Sequence, residues 1–292
     1  LRQLNEAIQQ QKAEIEAINT ELKQTLDELT TRRTQVEDSI RYASRIQQAI
    51  LPSRNQLEAR LPAYFIHYQP RDLVSGDFYW LTSYEGKTLF AVADCTGHGV
   101  PGAFMSVLGA KILGQIVDEI GLWRPSAILS ALDRRISQTL HQQLGGDSKD
   151  GIDLALIVLH EAQPDGQRDV EFAGAGRPLW HLHQGQLTEY RSARYACGGG
   201  QHADKVFPSH RIALHPGDRL YLFTDGVVDQ FGGPQGHKLG PKRLQAFLRE
   251  TATHSLAEQG AALETWLDTW RTDRRQLDDL LVAGIEVAFP RP

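Results

Sequence analysis

Counting in sevens from Leu1 gives Leu1, Ile8, Ile15, Leu22, Leu29, Val36, Ala43 and Ile50, an apolar residue at every step with no glycine or proline between them. A seven-residue repeat sustained this long admits a continuous helix with an apolar stripe and little else. The companion seam is less regular: Leu4, Ile18 and Ile46 are apolar, Gln11, Thr25, Arg32 and Ser39 are polar, and Leu26 and Ile40 sit one position along. An imperfect seam lowers coiled-coil stability and leaves room for alternative registers. A homodimeric coiled coil is favoured over a single amphipathic helix lying on the domain, and Pro52 ends it, because its ring would clash with the preceding turn. The expected division is a coiled-coil linker or dimerisation helix over 1–51 and one globular domain over 52–292.

From Ala63 the period becomes two. Aromatic and β-branched residues concentrate in 63–69, 77–84 and 88–94, which read as strands. A helix is expected to enter through Gly99, Pro101 and Gly102 and run to about Asp118, and a second to run from Pro125 to about Gln143. Further strands are expected at 152–160, 169–175, 178–183, 186–190, 211–214 and 219–225, helices near 242–250 and 256–271, and a last strand at 280–289. Gly198–Gly200, with Gln201 to Asp204, reads as a flexible loop. Hairpins interrupted twice by helix pairs point to an α+β fold, with helices on the outer faces of sheets.

Four aspartates share one placement. Asp77 starts a strand after Ser75-Gly76, Asp94 ends one before a glycine-rich turn, Asp225 does so before Gly226, and Asp278 precedes the last strand. Strand ends at one edge of a sheet converge, and carboxylates gathered there repel one another unless a cation neutralises them. Oxygen donors without thiolate or clustered histidine suit magnesium or manganese rather than zinc. Taken singly, each aspartate is also an ordinary turn residue.

The surrounding segments are SGDFYW (75–80), ADCTGHGVPGAFMS (93–106), TDGVVDQFGGPQG (224–236) and QLDDLLVAGIEV (276–287). In order and separation they resemble the metal-site motifs of the PPM metal-dependent serine/threonine phosphatases, in the bacterial SpoIIE/RsbU branch. The junction SIRYASRIQQAILP (39–52) resembles the one that joins such domains to upstream sensors in SiaA-like members. The resemblance implies an α-β-β-α sandwich with the site between two mostly antiparallel sheets, holding two divalent metals, Mn2+ or Mg2+, that activate water against a phosphoserine or phosphothreonine. It implies that Asp94 bridges the metals, that Cys95 contributes its backbone carbonyl, and that Asp77, Asp225 and Asp278 complete the site. Asp279 stands where relatives carry Asp or Asn and would support it; Asp153 and Asp229 recur in the sensor-linked subgroup. The implied partner is a phosphorylated, STAS-like anti-sigma-factor antagonist. The alternative is a catalytically silent metal-binding scaffold acting through coiled-coil dimerisation.

Other residues carry narrower expectations. His98 has the chemistry of a general acid, yet it falls two residues beyond the corresponding position of eukaryotic relatives, which favours a turn or helix-start role. Arg71 and Arg177 could hold phosphate through a bidentate guanidinium. His181 and His183 alternate on a strand but lack a third ligand, so surface exposure is favoured over metal binding.

A net charge of −5 and a pI of 6.1 disfavour nucleic acid as a partner, since polyanion binding needs a basic surface. Cys95 and Cys197 lie in no C-x-x-C motif, which fits a reducing, cytoplasmic setting. No uninterrupted apolar run reaches membrane-spanning length. The first residue is Leu1 and the single methionine is Met105, so an upstream region is expected, and any membrane contact would lie there.

Overall fold

A computed structural model describes residues 2–61, 63–142, 148–163, 167–200 and 204–287. The seam residue Leu1, the side chain of Leu4, Gln143 at the expected end of the second helix, Gln201–Ala203 of the expected loop, and Ala288 and Phe289 of the expected last strand lie outside that description. The chain divides into two compact units, Leu1–Arg45 and Ile46–Pro292.

Helix α1 spans Arg2–Ile50 and stops two residues before Pro52. In the first unit the stripe of Ile8, Ile15, Leu22, Leu29 and Val36 is exposed, each residue to about half of its surface. Threonines are poor helix formers, and here the hydroxyls of Thr20, Thr25, Thr30 and Thr34 donate to the carbonyls four residues back at 2.8–3.0 Å, a back-bond that slightly weakens a helix.

The second unit continues with α2 (Arg54–Arg60), β1 (Ala63–Gln69), β2 (Phe78–Tyr84), β3 (Lys87–Cys95), α3 (Gly99–Gly114), a π-turn (Gln115–Glu119) and α4 (Pro125–Thr139). There follow β4 (Gly151–Leu159), β5 (Arg168–Ala175), β6 (Leu179–His183), β7 (Gln186–Tyr190), β8 (Cys197–Gly198), β9 (Ser209–Leu214) and β10 (Arg219–Phe223). The chain closes with α5 (Asp225–Asp229), β11 (Phe231–Gly232), β12 (His237–Lys238), α6 (Gly240–Glu250), α7 (Leu256–Arg271) and β13 (Leu280–Glu286).

Two antiparallel sheets carry the fold. One has the order β1-β13-β10-β6-β7; the other runs β2-β3-β4-β5-β9, with β8 paired to β4. Alternation along each strand sorts side chains between layers. On β3, Phe90 and Val92 face the other sheet, where they meet Leu220, Leu222, Leu281 and Ala283, while Leu89, Ala91 and Ala93 face Leu113, Ile116, Ile128 and Leu132 of the α3–α4 layer. On β10, Leu220 and Leu222 point inward, whereas Tyr221 and Phe223 pack toward Leu244, Leu248, Leu263 and Leu267 of α6 and α7. The result is the expected α-β-β-α sandwich. Because both faces of the central strands are buried, the segments around 88–94, 152–159 and 280–287 read as nearly unbroken apolar runs.

Three details differ from expectation. A capping box from Ser53 and Gln56 opens α2, which the strand-and-helix pattern did not suggest. Strand β10 ends at Phe223, so Asp225 opens α5 rather than closing a strand. The Gly99–Glu119 stretch is, by length and composition, apolar enough for a membrane span, yet Met105, Ile112, Leu113, Ile116 and Val117 are buried in the core beside the β2–β3–β4 sheet, while Val100 and Phe104 are exposed.

Phe90 is fully buried between the sheets. Phe90→Ala should lower unfolding free energy by about 3–5 kcal/mol in urea titration without moving the secondary structure measured by circular dichroism.

Candidate active site

Strand ends and loops from both sheets bring six carboxylates to one place. Asp77, immediately before β2, is buried; its Oδ2 accepts from the Thr224 hydroxyl at 2.6 Å, and its backbone N–H donates to Ser75 Oγ. Thr224 is the residue before α5, so one hydroxyl ties the Asp77 carboxylate to the start of the Asp225 helix. Asp94 lies opposite Asp153 across the β3–β4 ladder, a like-charged pair that would be unfavourable on its own. Asp278 and Asp279 precede β13. Asp279 is buried, and its two oxygens accept from the backbone N–H groups of Arg71 and Gly76, both at 2.7 Å, which fastens the 71–76 loop to β13.

Glycines make the close approach possible. A Cβ on Gly76 or Gly102 would collide with the carbonyl oxygen of Gly97, and one on Gly226 would strike that of Asp279. Gly176 turns the chain with φ 69°, and a Cβ there would overlap the Asp153 carboxylate. That turn delivers Arg177. Its Nη2 lies 3.1 Å from Asp94, 3.0 Å from Asp153 and 2.6 Å from Asp225.

Electrostatics follow from this crowding. Burial, then repulsion from Asp94, push Asp77 well above the usual carboxylate range, against the Thr224 hydrogen bond. Burial also raises Asp94 well above that range; Arg177 opposes the rise and Asp225 adds to it. Asp153 is raised by burial with Arg177 opposing, and Asp278 is raised by burial. Burial would lower the Arg177 guanidinium, but Asp94, Asp225 and Asp153 more than reverse that, and it stays charged. Burial, with nearby carboxylates, drives the Cys95 thiol well up, so it remains protonated. The Cys95 carbonyl instead faces Gly76, 3.2 Å from where a Cβ would sit.

A cavity of about 370 Å³ opens over this cluster, with Asp94, Asp153, Arg177, Asp225 and Asp278 in its wall beside the Cys95–His98 turn. A larger cleft of about 590 Å³, between Trp266, Trp270 and Pro234, has Arg274 as its one charged lining residue and no carboxylate, so the acid chemistry belongs to the smaller cavity. The donor set is oxygen-only, negatively charged and partly neutralised by a guanidinium, and it fits a hard divalent cation such as Mg2+ or Mn2+.

The structure thus brings Asp77, Asp94, Asp153, Asp225, Asp278, Asp279 and the Cys95 carbonyl together. His98 is the residue before α3 and half exposed, with Nδ1 3.5 Å from Asp72. Arg71 donates to the Leu277 carbonyl at 3.0 Å, which anchors the same loop. Asp229 is not part of the cluster; it pairs with Lys238 at 2.7 Å. Arg177, expected as a phosphate holder, rests against three carboxylates. The exposed-surface expectation for His181 does not hold: it is buried, and its Nε2 lies 2.9 Å from Asp218, while His183 is only partly exposed.

Two contributors escaped the sequence. Thr224 was visible only as the residue before Asp225. Gln47, in the last turns of α1 and within the second unit, is buried; its Nε2 donates to the Ser75 carbonyl at 2.5 Å and to Ser106 Oγ at 2.8 Å, and its Oε1 accepts from Ser75 N–H at 3.1 Å. Its position in QQAILP, among residues that otherwise read as helix surface, gave no sign of this.

Comparison with known proteins identifies the family and the fold. The family model for stage II sporulation protein E (SpoIIE) matches residues 84–288. Phosphoserine phosphatase RsbU of Bacillus subtilis (strain 168) is 26% identical over 200 residues, which is 67% of this chain and 55% of RsbU, so the chain spans little more than half of that relative's length. The SiaA-PP2C domain of Pseudomonas aeruginosa has 34% identity and a TM-score of 0.77, covering 87% of this chain and 98% of that one. The PP2C domain of Bacillus subtilis SpoIIE, solved with a fragment of its regulatory domain, shares the fold with 18% identity and a TM-score of 0.63, over 79% of this chain and 64% of that one. The chain belongs to the SpoIIE family, in the RsbU branch of the PPM, or PP2C-type, serine/threonine phosphatases.

Replacing Arg177 tests its part in neutralising the cluster. Arg177→Met should lower the melting temperature of metal-free protein and enlarge the rise caused by Mn2+, read by differential scanning calorimetry in chelator and in excess Mn2+.

Proposed function

We propose that this chain is a metal-dependent protein serine/threonine phosphatase whose substrate is a phosphorylated, STAS-like regulatory protein of a bacterial signalling pathway. The observation that carries this reading is the convergence of six carboxylates, two of them buried beneath a cavity of phosphate-accommodating size. Asp77, Asp94, Asp225 and Asp278, with the Cys95 carbonyl, would hold two divalent cations, Mn2+ or Mg2+. Bound there, the cations would lower the pKa of water and offset charge on the phosphoryl oxygens.

The chain's own residues supply the frame. Asp279 fixes the 71–76 loop and so positions Asp77. Thr224 orients the Asp77 carboxylate through its hydroxyl. Arg177, whose Nη2 reaches three carboxylates, is placed to turn toward a phosphoryl oxygen once their charge is otherwise met. The Cys95 thiol is buried and neutral, and the Thr96 hydroxyl is engaged with Gly151, so direct transfer to water suits the site better than a phosphoenzyme. The resemblance to a named phosphoserine phosphatase and to a PP2C domain supports the reaction class.

Regulation is proposed to arrive through the first unit. In this reading 1–51 is a dimerising coiled coil and 52–292 the phosphatase domain, in a cytoplasmic position below an upstream sensor, while the compact units themselves divide between Arg45 and Ile46. Gln47 supports this, because a shift in the last turns of α1 would move Ser75, and with it the loop that carries Asp77. Biasing two such states needs only a few kcal/mol.

Two measurements test the proposal. Asp94→Asn and Asp225→Asn should each reduce Mn2+-dependent phosphate release from a phosphoserine protein by roughly a hundredfold or more, since even residues that only support a metal ligand carry factors of that size; unchanged turnover in both would contradict it. Leu22→Pro or Leu29→Pro, each costing the helix about 3 kcal/mol, should convert a dimer to monomer in analytical ultracentrifugation and change turnover together. A dimer with unaltered turnover would contradict the regulatory part.

A further inference from the structure

A second charged cluster stands at the opposite end of β10. Asp225 follows that strand and Asp218 precedes it, so at about 3.3 Å per residue the two are separated by roughly 20 Å along the sheet. His215-Pro216-Gly217-Asp218 is a tight turn: Asp218 N–H donates to the His215 carbonyl at 3.0 Å, and Gly217 takes φ 87° behind a proline, the pattern of a type II turn. The turn sets the first and fourth residues side by side. The register Arg219↔Leu182 and Leu220↔His181, continued one step, sets Asp218 opposite His183 and on the same face as His181.

Four candidate ligands therefore meet. Asp218 Oδ2 lies 2.9 Å from His181 Nε2 and 3.8 Å from His215 Nδ1, and Oδ1 lies 2.6 Å from His183 Nδ1. The ligand atoms of His181, His183 and Asp218 fall within 4.8 Å of one another. The rings of His183 and His215 are 5.2 Å apart by centroid, and those of His181 and His183 are 6.0 Å apart. The backbone is held from outside the cluster, because Gly217 N–H donates to the Val287 carbonyl and Val287 N–H to that of Asp218. Asp218 and His181 are buried, whereas His183 and His215 are open to solvent on one side, which gives an ion a route in.

We propose that His181, His183, His215 and Asp218 form a zinc-binding site separate from the phosphatase cavity. Three imidazoles and one carboxylate suit a borderline-soft cation such as Zn2+ and not Mg2+. Tetrahedral zinc with bonds near 2.0–2.1 Å places its ligand atoms roughly 3.4 Å apart, between the short and long separations found here. Each of His181 and His183 would offer the cation the ring nitrogen that faces Asp218, with its proton carried on the other ring nitrogen. The metal would clasp the β9–β10 turn to β6, and its effect is on the stability of that end of the sheet.

The test uses the full chain carrying Asp94→Asn and Asp225→Asn, so that the carboxylate cluster does not compete. After chelator treatment, Zn2+ is titrated against a chromophoric chelator. The proposal expects one Zn2+ per chain, an X-ray absorption shell containing imidazole, and a rise in melting temperature of roughly 5 °C at a hundredfold excess over Kd. Adding His183→Ala with His215→Ala should abolish all three, and His215→Ala alone, a change at an exposed turn, should weaken binding by about tenfold or more. No Zn2+ bound in the aspartate variant, or binding of equal affinity after His215→Ala, would overturn it.

Discussion

Burial of like charge is the constraint on which the rest of this structure depends. Asp77 and Asp279 are almost wholly removed from solvent, and Asp94 and Asp153 face each other across one ladder. Ionised carboxylates in such surroundings are unstable without compensation. The chain provides part of it, through backbone N–H donors to Asp279, a hydroxyl donor to Asp77 and the Arg177 guanidinium among Asp94, Asp153 and Asp225. One guanidinium among so many carboxylates leaves a net negative site, and that surplus is what the proposed divalent cations would offset.

The sandwich exists to hold these groups in register. Sheets covered on both faces fix each strand against two layers, so the positions of Asp77, Asp94 and Asp278 at the mouths of β2, β3 and β13 are set by the packing of Phe90, Leu156, Leu222 and Leu281 behind them. Small residues do the rest: Gly76, Gly102 and Gly226 admit neighbouring carbonyls that any side chain would exclude. Gln47 extends the same frame to the end of α1, through its hydrogen bonds to Ser75, two residues from Asp77 in sequence.

Much of this was legible in the sequence, and what was not has physical reasons. The heptad gave the helix and Pro52 its stop; period-two apolar segments gave β1, β7 and the centre of every long strand, though burial on both faces blurred their ends. The four aspartates could be placed because each abuts a glycine or a strand boundary. Arg177 was a candidate phosphate holder, but its place among three carboxylates was not legible, since what brings it to Asp153 is a single left-handed turn at Gly176, and a lone glycine-arginine pair carries no spacing signal. Nor were the partners of His181 and His183, because Asp218 and His215 lie more than thirty residues away and are joined to them only by the β6–β10 register. Short helices leave no periodic signal: α2 depends on its capping box, and α5, which has no side-chain cap, replaced an expected strand end.

The central claim is that the carboxylate cluster is a two-cation site with a guanidinium standing in part of it. Anomalous diffraction from crystals grown in Mn2+ measures this directly. The account predicts two manganese peaks among Asp77, Asp94, Asp225, Asp278 and the Cys95 carbonyl, with the Arg177 guanidinium displaced from at least one carboxylate. Crystals of the same protein in saturating Mn2+ that show no manganese at these aspartates, and Arg177 still in contact with Asp94, Asp153 and Asp225, would contradict it.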